Sequence, residues 1–217
     1  MKKIVLICVF LVQACTIPYD AETRLVLETK IVNSLDEPLK NIEISVDIYS
    51  GTEYLSNNET ISYGTSDDNG NIRLVFPSPK FDKNYKINIR SRFDENMGYE
   101  SFSISPILKN DFENYKLVIP KIYRLTSDEA TYVAVNYFSN NNTTKSIVSS
   151  KVNGIYSNLN TSFDDNQNTI NQSLFFVKKN QTIQVIYVVK NLQTGILETF
   201  TNSYLIGNEI FETTINY

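Results

Sequence analysis

Two cysteines, Cys8 and Cys15, carry the only thiols of this 217-residue chain, and the chain contains no histidine. Histidine is the commonest general base and the commonest zinc ligand, so its absence excludes Ser-His-Asp and Cys-His catalysis. The seven glycines form neither G-x-x-x-x-G-K nor G-x-G-x-x-G, the phosphate-binding patterns. The sequence therefore predicts a protein that is not an enzyme and that has no cofactor and no metal. A carboxylate-dependent hydrolase stays open as a minor alternative.

Cys15 follows a segment typical of a secretory signal peptide. The chain begins with Met1-Lys2-Lys3, continues with nine apolar residues at 4–12, and places the small residue Ala14 before the cysteine. The apolar run is well short of the roughly 20 residues that cross a bilayer as a helix. No later stretch is long and apolar enough, so we expect no permanent transmembrane span.

The end of this segment resembles a lipobox, the pattern that precedes the acylated cysteine of bacterial lipoproteins. Val12 stands three residues before Cys15 and Ala14 immediately before it, while Gln13 replaces the usual small residue between them. The resemblance implies diacylglyceryl transfer to the Cys15 thiol, cleavage after Ala14 and acylation of the new amino terminus. An ordinary secretory peptide that happens to contain a cysteine is the alternative reading.

This resemblance implies a signal peptide over residues 1–14, a tether over residues 15–23 and a lipid anchor, with palmitate as the expected acyl chain. Two acyl chains anchor a protein stably, because each buried methylene contributes about 0.8 kcal/mol. We therefore expect a lipoprotein of the bacterial cell envelope, located at the outer membrane. Loss of Lys2 and Lys3 with the signal peptide lowers the formal net charge from −4 to −6, so nucleic acid is not an expected partner.

From Arg24 onward the apolar residues alternate with polar ones, which is the period of a β-strand. Residues 41–49 show this most clearly, because the isoleucines and valine at even positions face one side. Residues 25–31 predict a preceding strand that ends in the turn-rich segment 33–38, and the two strands are expected to form a hairpin. Asp68-Asn69-Gly70-Asn71 predicts a second hairpin with a tight primed turn. Further strands of this half are predicted at residues 56–65, 71–76, 85–91, 99–104 and 115–123.

Residues 37–46 and 65–74 resemble the carboxypeptidase-regulatory-like, transthyretin-like β-sandwich. Glu37-Pro38-Leu39-Lys40-Asn41-Ile42-Glu43-Ile44-Ser45-Val46 matches its "P-L-x-x-h-x-h" strand entry, and Thr65-Ser66-Asp67-Asp68-Asn69-Gly70-Asn71-Ile72-Arg73-Leu74 matches its "T-x-D-x-x-G-x-h-x-h" hairpin. The resemblance covers about residues 24–124 and implies an accessory or recognition module. The enzymatic branch of transthyretin-like proteins depends on histidines, which this chain lacks.

Thr126-Ser127-Asp128-Glu129-Ala130 predicts a short helical turn, and we place a domain boundary there. Polar loops are expected at residues 139–144 and 158–168, and the strand at 182–190 is expected to be central because both of its faces are apolar. The fold class is therefore all-β, with two antiparallel β-sandwich domains at residues 24–125 and 126–217. Strands of the second domain are predicted at residues 131–138, 146–156, 169–177, 182–190, 196–206 and 209–216.

Two segments are candidate binding sites. The turn at residues 67–71 concentrates oxygen ligands for calcium, but it lacks the bidentate Glu of an EF-hand, so we expect weak calcium binding or none. Tyr137 and Phe138 precede Asn140-Asn141-Asn142, and aromatic rings beside amides suit a hydroxylated ligand. The predicted function is a recognition or assembly module of the envelope that binds a protein or a glycan. The alternative is an adhesin-like or fimbrial subunit that pairs by strand addition.

Overall fold

The computed structural model describes six ranges of the chain: residues 19–50, 57–79, 85–92, 98–139, 144–162 and 171–217. Cys15, the predicted signal peptide and Asn140–Asn142 lie outside these ranges. Within them the regular secondary structure consists of strands and one 3-10 turn at Lys109–Asp111. No helix in the described part is long and apolar enough to span a membrane. The prediction of an all-β fold is confirmed.

The first half contains seven strands. They are β1 (Tyr19–Val32), β2 (Glu43–Ser50), β3 (Asn57–Thr65), β4 (Asn71–Pro79), β5 (Tyr85–Ser91), β6 (Phe102–Ile107) and β7 (Lys116–Tyr123). The second half contains seven more. They are β8 (Ala130–Phe138), β9 (Lys145–Asn153), β10 (Tyr156–Ser162), β11 (Asn171–Lys178), β12 (Gln181–Asn191), β13 (Leu197–Ile206) and β14 (Phe211–Asn216).

The strands form three sheets. An eight-stranded sheet has the order β14-β8-β11-β10-β6-β5-β2-β3, and two three-stranded sheets have the orders β4-β1-β7 and β13-β12-β9. The long sheet passes through both halves because β6 and β10 pair in parallel, with Ile104 beside Leu159. The pairs β1–β7 and β8–β14 are also parallel, and the remaining pairs in the described ranges are antiparallel.

Two hydrophobic cores lie between the long sheet and the short sheets. The first contains residues of the first half alone, including Ile44, Val46 and Ile48, which are fully buried as their alternation predicts. The second contains residues of the second half alone, including the inward row of β12. A small third cluster of Leu125, Ala130 and Phe176 joins the two halves. The division into two domains at residues 126–130 therefore stays a prediction, since the cores are separate but the sheet is shared.

The predicted hairpin between residues 25–31 and 41–49 is wrong. β1 pairs with β4 and β7, whereas β2 pairs with β3 and β5, so the two strands lie in opposite sheets. Both strands have one strongly apolar face, and two such faces bury each other best when they face across a sandwich. The turn at residues 33–38 therefore carries the chain from one sheet to the other.

The predicted hairpin around Gly70 is also wrong, although the turn itself is present. β3 and β4 belong to different sheets, and Gly70 has a positive φ of 76° whereas Asn69 does not, so the turn is not of the primed type. The Gly70 N–H donates to the Asp67 carbonyl at 2.9 Å, and the Asp67 N–H donates to the Asn71 carbonyl at 2.9 Å. This local pattern closes the turn without requiring the flanking strands to pair.

Two further local predictions differ from the structure. The polar segment expected as a loop at residues 158–168 begins as a strand, because β10 extends to Ser162 and pairs with β11. The expected helical turn at Thr126 is a single β-turn, closed by the Glu129 N–H donating to the Thr126 carbonyl at 3.1 Å. The Glu129 carboxylate accepts the Thr126 N–H at 3.1 Å, so the capping contact forms without a helix.

Candidate recognition face

Tyr137, one of the two predicted ligand-binding residues, is a core residue. Its side chain is 2% exposed, its hydroxyl shares a 2.6 Å hydrogen bond with Ser150 Oγ, and its ring centroid lies 5.8 Å from that of Tyr187. Burial raises the pKa of Tyr137 above its usual value. The ring cannot contact a ligand on the surface, so the predicted site rests on Phe138 alone.

Phe138 lies on the opposite face of β8 and is 43% exposed. Successive residues of a strand point to opposite faces, so Tyr132, Ala134 and Asn136 share the outer face with Phe138. Tyr132 is 54% exposed, and its ring packs at 4.9 Å on the buried ring of Phe176 from β11. The two exposed rings stand six residues apart on one strand, a separation of about 20 Å.

A line of polar groups crosses the sheet between these two rings. Gln172 Nε2 donates to Asn136 Oδ1 at 2.9 Å, and Asn136 Nδ2 donates to Glu212 Oε1 at 2.9 Å. Leu174 lies beside Ala134 and is partly exposed. We call this surface of β14, β8 and β11 the aromatic–amide face; its residues are Tyr132, Asn136, Phe138, Gln172, Leu174 and Glu212.

The aromatic–amide face combines two kinds of contact. The exposed rings and Leu174 offer flat apolar surface, which stacks on the apolar side of a sugar ring or on an apolar side chain of a protein. The amide of Gln172 and the carboxylate of Glu212 each retain hydrogen-bonding capacity beyond the bonds described above. The face can thus bind a partner that presents hydroxyl or amide groups around an apolar patch.

The same outer surface of the long sheet is organised differently in the first half. Thr60 Oγ1 donates to Asp47 Oδ1 at 2.6 Å, Arg90 forms an ion pair with Asp47, and Ser103 Oγ donates to Asn88 Oδ1 at 2.7 Å. Asp47 is 1% exposed, so this carboxylate is enclosed by its partners. These polar groups contact one another through hydrogen bonds and an ion pair, which leaves the second half as the better candidate for binding.

The Asp67 turn uses its carboxylate for its own backbone. Asp67 Oδ1 accepts the N–H groups of Asn69 and Asn71 at 2.9 and 2.8 Å. These bonds, led by that from Asn71, hold the pKa of Asp67 below its usual value. Within the described ranges no group of three or more His, Cys, Asp or Glu residues could hold a metal ion. Weak or absent calcium binding remains a prediction.

Sequence reasoning identified Phe138 but not its neighbours on the aromatic–amide face. It selected Tyr137 and Phe138 because they precede an asparagine-rich segment, although adjacent strand residues cannot share a face. The period of two would have paired Phe138 with Tyr132. No local sequence pattern indicates that Gln172 and Glu212 belong to this face, because their position there depends on which strands lie beside β8.

Comparison with known proteins gives distant structural similarity only. No family model matches the chain, and no curated protein matches it. Among solved structures, the chain resembles the Bacillus anthracis TIE protein, with 14% identity, 89% of this chain covered and a TM-score of 0.31. It spans 34% of the length of that protein.

Two other solved structures match over most of their own length. The shaft pilin SpaA of Lactobacillus rhamnosus GG is 8% identical, with 88% of this chain and 97% of the pilin covered and a TM-score of 0.31. A candidate adhesin from Bacteroides ovatus is 8% identical, with 94% and 97% covered and a TM-score of 0.28. The similar structures include pilin and adhesin-like β domains of bacteria, but similarity at this level does not assign a family.

Proposed function

We propose that the chain is a lipid-anchored protein of the bacterial envelope that binds a protein or glycan partner through the aromatic–amide face and catalyses no reaction. One observation carries the binding role: Tyr132 and Phe138 expose their rings on one face of β8 and flank a hydrogen-bonded line of amides and a carboxylate. The anchor rests on the sequence around Cys15.

The exposed rings favour a partner because they leave apolar surface in water. Burial of apolar surface contributes about 25 cal/mol per Å², so a partner that covers both rings gains binding energy that the free protein does not have. The polar line between the rings then sets specificity, because a partner must offer groups that satisfy Gln172 and Glu212 once water is displaced.

Replacing Phe138 or Tyr132 with alanine is expected to weaken partner binding at least tenfold, which corresponds to about 1.4 kcal/mol. Glycan-array binding and crosslinking in intact cells, followed by affinity measurement, identify the partner and test both variants. Tyr63→Ala is the matched control, because Tyr63 is 74% exposed on the distant end of the same sheet. Equal affinity of the Phe138 and Tyr132 variants and the wild-type chain would refute the proposed face.

Cys15→Ser is expected to release the protein from membranes without unfolding it. Serine offers no thiol for diacylglyceryl transfer, and the residues that form the two described cores begin at Leu25. Fractionation of cells after a high-salt wash measures the change, with Cys8→Ser as the control that should stay attached. If the Cys15→Ser variant still fractionates with membranes, the lipid anchor is contradicted. The circular dichroism spectrum of the variant should equal that of the wild-type protein, which shows that the variant is folded.

A further inference from the structure

Six strands lie at the edges of the three sheets, and natural proteins protect such edges against pairing with another chain. Lysine, arginine and proline serve this purpose in three of them: Arg73, Pro77 and Pro79 in β4, Lys116, Pro120 and Lys121 in β7, and Lys145 and Lys151 in β9. β3 has a register shift against β2, and β14 is six residues long.

β13 has none of these protective features. Its ten residues contain no lysine, arginine or proline, and its one charged residue, Glu198, lies 3.5 Å from Lys145 in an ion pair. Ten consecutive residue pairs join it to β12 without a register shift. In the ranges that the structure describes, β13 pairs with β12 alone. A long regular edge of this kind is a template for a further strand.

The outer face of β13 is apolar at both ends and hydroxylated between them. Leu197 and Leu205 are 61% and 77% exposed, and both belong to the row that points away from the core. Thr199, Thr201 and Ser203 lie between them on the same face. This arrangement is symmetric about Thr201, with a leucine four residues to each side.

We propose that two copies of this chain associate by pairing β13 with β13 antiparallel, with the two-fold axis at Thr201. In this register Leu197 of each copy lies opposite Leu205 of the other, Thr199 opposite Ser203, and Thr201 opposite itself. The inner row places Phe200 opposite Asn202 and Glu198 opposite Tyr204, so no like charges meet. The two three-stranded sheets then form one six-stranded sheet.

The symmetry of the sequence selects a second copy as the occupant of this edge. An isologous contact requires that one patch be complementary to itself. Moving the axis by two residues, to Thr199 or Ser203, places one leucine of each copy beyond the end of the partner strand. The register centred on Thr201 is the one that covers both exposed leucines. This inference is independent of the aromatic–amide face, which lies on the opposite sheet of the sandwich.

Disulfide trapping of the purified full chain in detergent tests the two-fold axis. Directly opposed side chains have Cβ atoms about 4.5–5.5 Å apart, close to the separation in a disulfide. Thr201→Cys is expected to give a reducible dimer with oxidised glutathione. The wild-type chain controls for Cys8 and Cys15, and Thr182→Cys, on the outer row of β12, should give no disulfide-linked dimer.

Mixed trapping tests the register. Thr199→Cys and Ser203→Cys should each fail to crosslink alone, yet a mixture of the two variants should crosslink, because residue 199 of one copy faces residue 203 of the other. Crosslinking of either variant alone at the yield of Thr201→Cys would overturn the register.

Sedimentation velocity supplies a test without cysteine. Thr201→Lys places two ammonium groups opposite each other at the axis, and it is expected to weaken dimerisation at least tenfold. Thr182→Lys, one strand inward, should not change the dimer. Either a wild-type chain that stays monomeric at all concentrations or a Thr201→Lys variant that dimerises normally would refute the proposal, provided that circular dichroism shows both variants folded.

Discussion

Replacing Arg124 with alanine is expected to lower the free energy of unfolding by about 3–5 kcal/mol, because the change leaves a cavity and unpaired buried acceptors. Arg124 follows β7, and its side chain is 1% exposed. It stands first by volume among the fully buried side chains of the described residues. A buried cation persists only where its surroundings replace the water that it has lost.

The guanidinium of Arg124 contacts two other segments of the first half, the end of β5 and the residues that precede and begin β6. It donates to Ser91 Oγ, to the Arg92 carbonyl at 3.0 Å and to the Tyr99 carbonyl at 3.4 Å. It also lies 5.5 Å from the ring centroid of Phe102 and 5.7 Å from that of Tyr99. Alanine would leave these acceptors unsatisfied and a cavity between the rings.

Urea denaturation followed by circular dichroism measures the effect. Arg73→Ala is the matched control, because Arg73 is exposed and surface ion pairs such as its pair with Glu28 contribute little to stability. Arg124→Lys should fall between the wild-type and the alanine variant, since lysine keeps the charge but loses the planar set of donors. A loss of less than about 1 kcal/mol for Arg124→Ala would contradict the role assigned to this residue.

The strands were predictable because alternation is a local property. Ile44, Val46 and Ile48 stand at every second position, which predicts one buried face of a strand, and all three side chains are buried in the structure. Strand pairing is a non-local property, and the local sequence predicts the wrong partner for β1. β1 and β2 follow each other through a turn-rich segment, which also fits a hairpin, yet the burial of two apolar faces against each other places them in opposite sheets.

The aromatic–amide face was predictable only through Phe138. Tyr137 was a plausible neighbour in sequence, but the alternation of β8 sends its ring into the core against Tyr187. Gln172 and Glu212 reach the face because β11 and β14 flank β8, and no local pattern shows that these two strands are its neighbours. A site assembled across a sheet therefore depends on the same non-local pairing that sequence reasoning failed to predict.

The turn at residues 67–71, between β3 of the long sheet and β4 of a short sheet, makes a second strong prediction, because it holds a glycine in a position that no other residue fits. Gly70 has φ of 76°, its carbonyl accepts the Ile31 N–H at 2.7 Å, and a Cβ added to it would lie 2.5 Å from the Ile31 carbonyl oxygen. The turn therefore packs directly against the backbone of β1. A backbone carbonyl cannot move aside as the end of a flexible side chain can.

Gly70→Ala is expected to lower the free energy of unfolding by about 3 kcal/mol. The left-handed backbone contributes about 1–2 kcal/mol of this, and the steric overlap with β1 contributes about 1–3 kcal/mol. Gly195→Ala separates the two causes, because Gly195 has nearly the same φ, 73°, but a Cβ there would meet nothing within 4 Å. Urea denaturation of the two variants should give a cost of about 1–2 kcal/mol for Gly195→Ala and a larger one for Gly70→Ala. Equal costs would mean that the turn can move away from β1, and that the contact between Gly70 and Ile31 does not fix the crossing between the sheets.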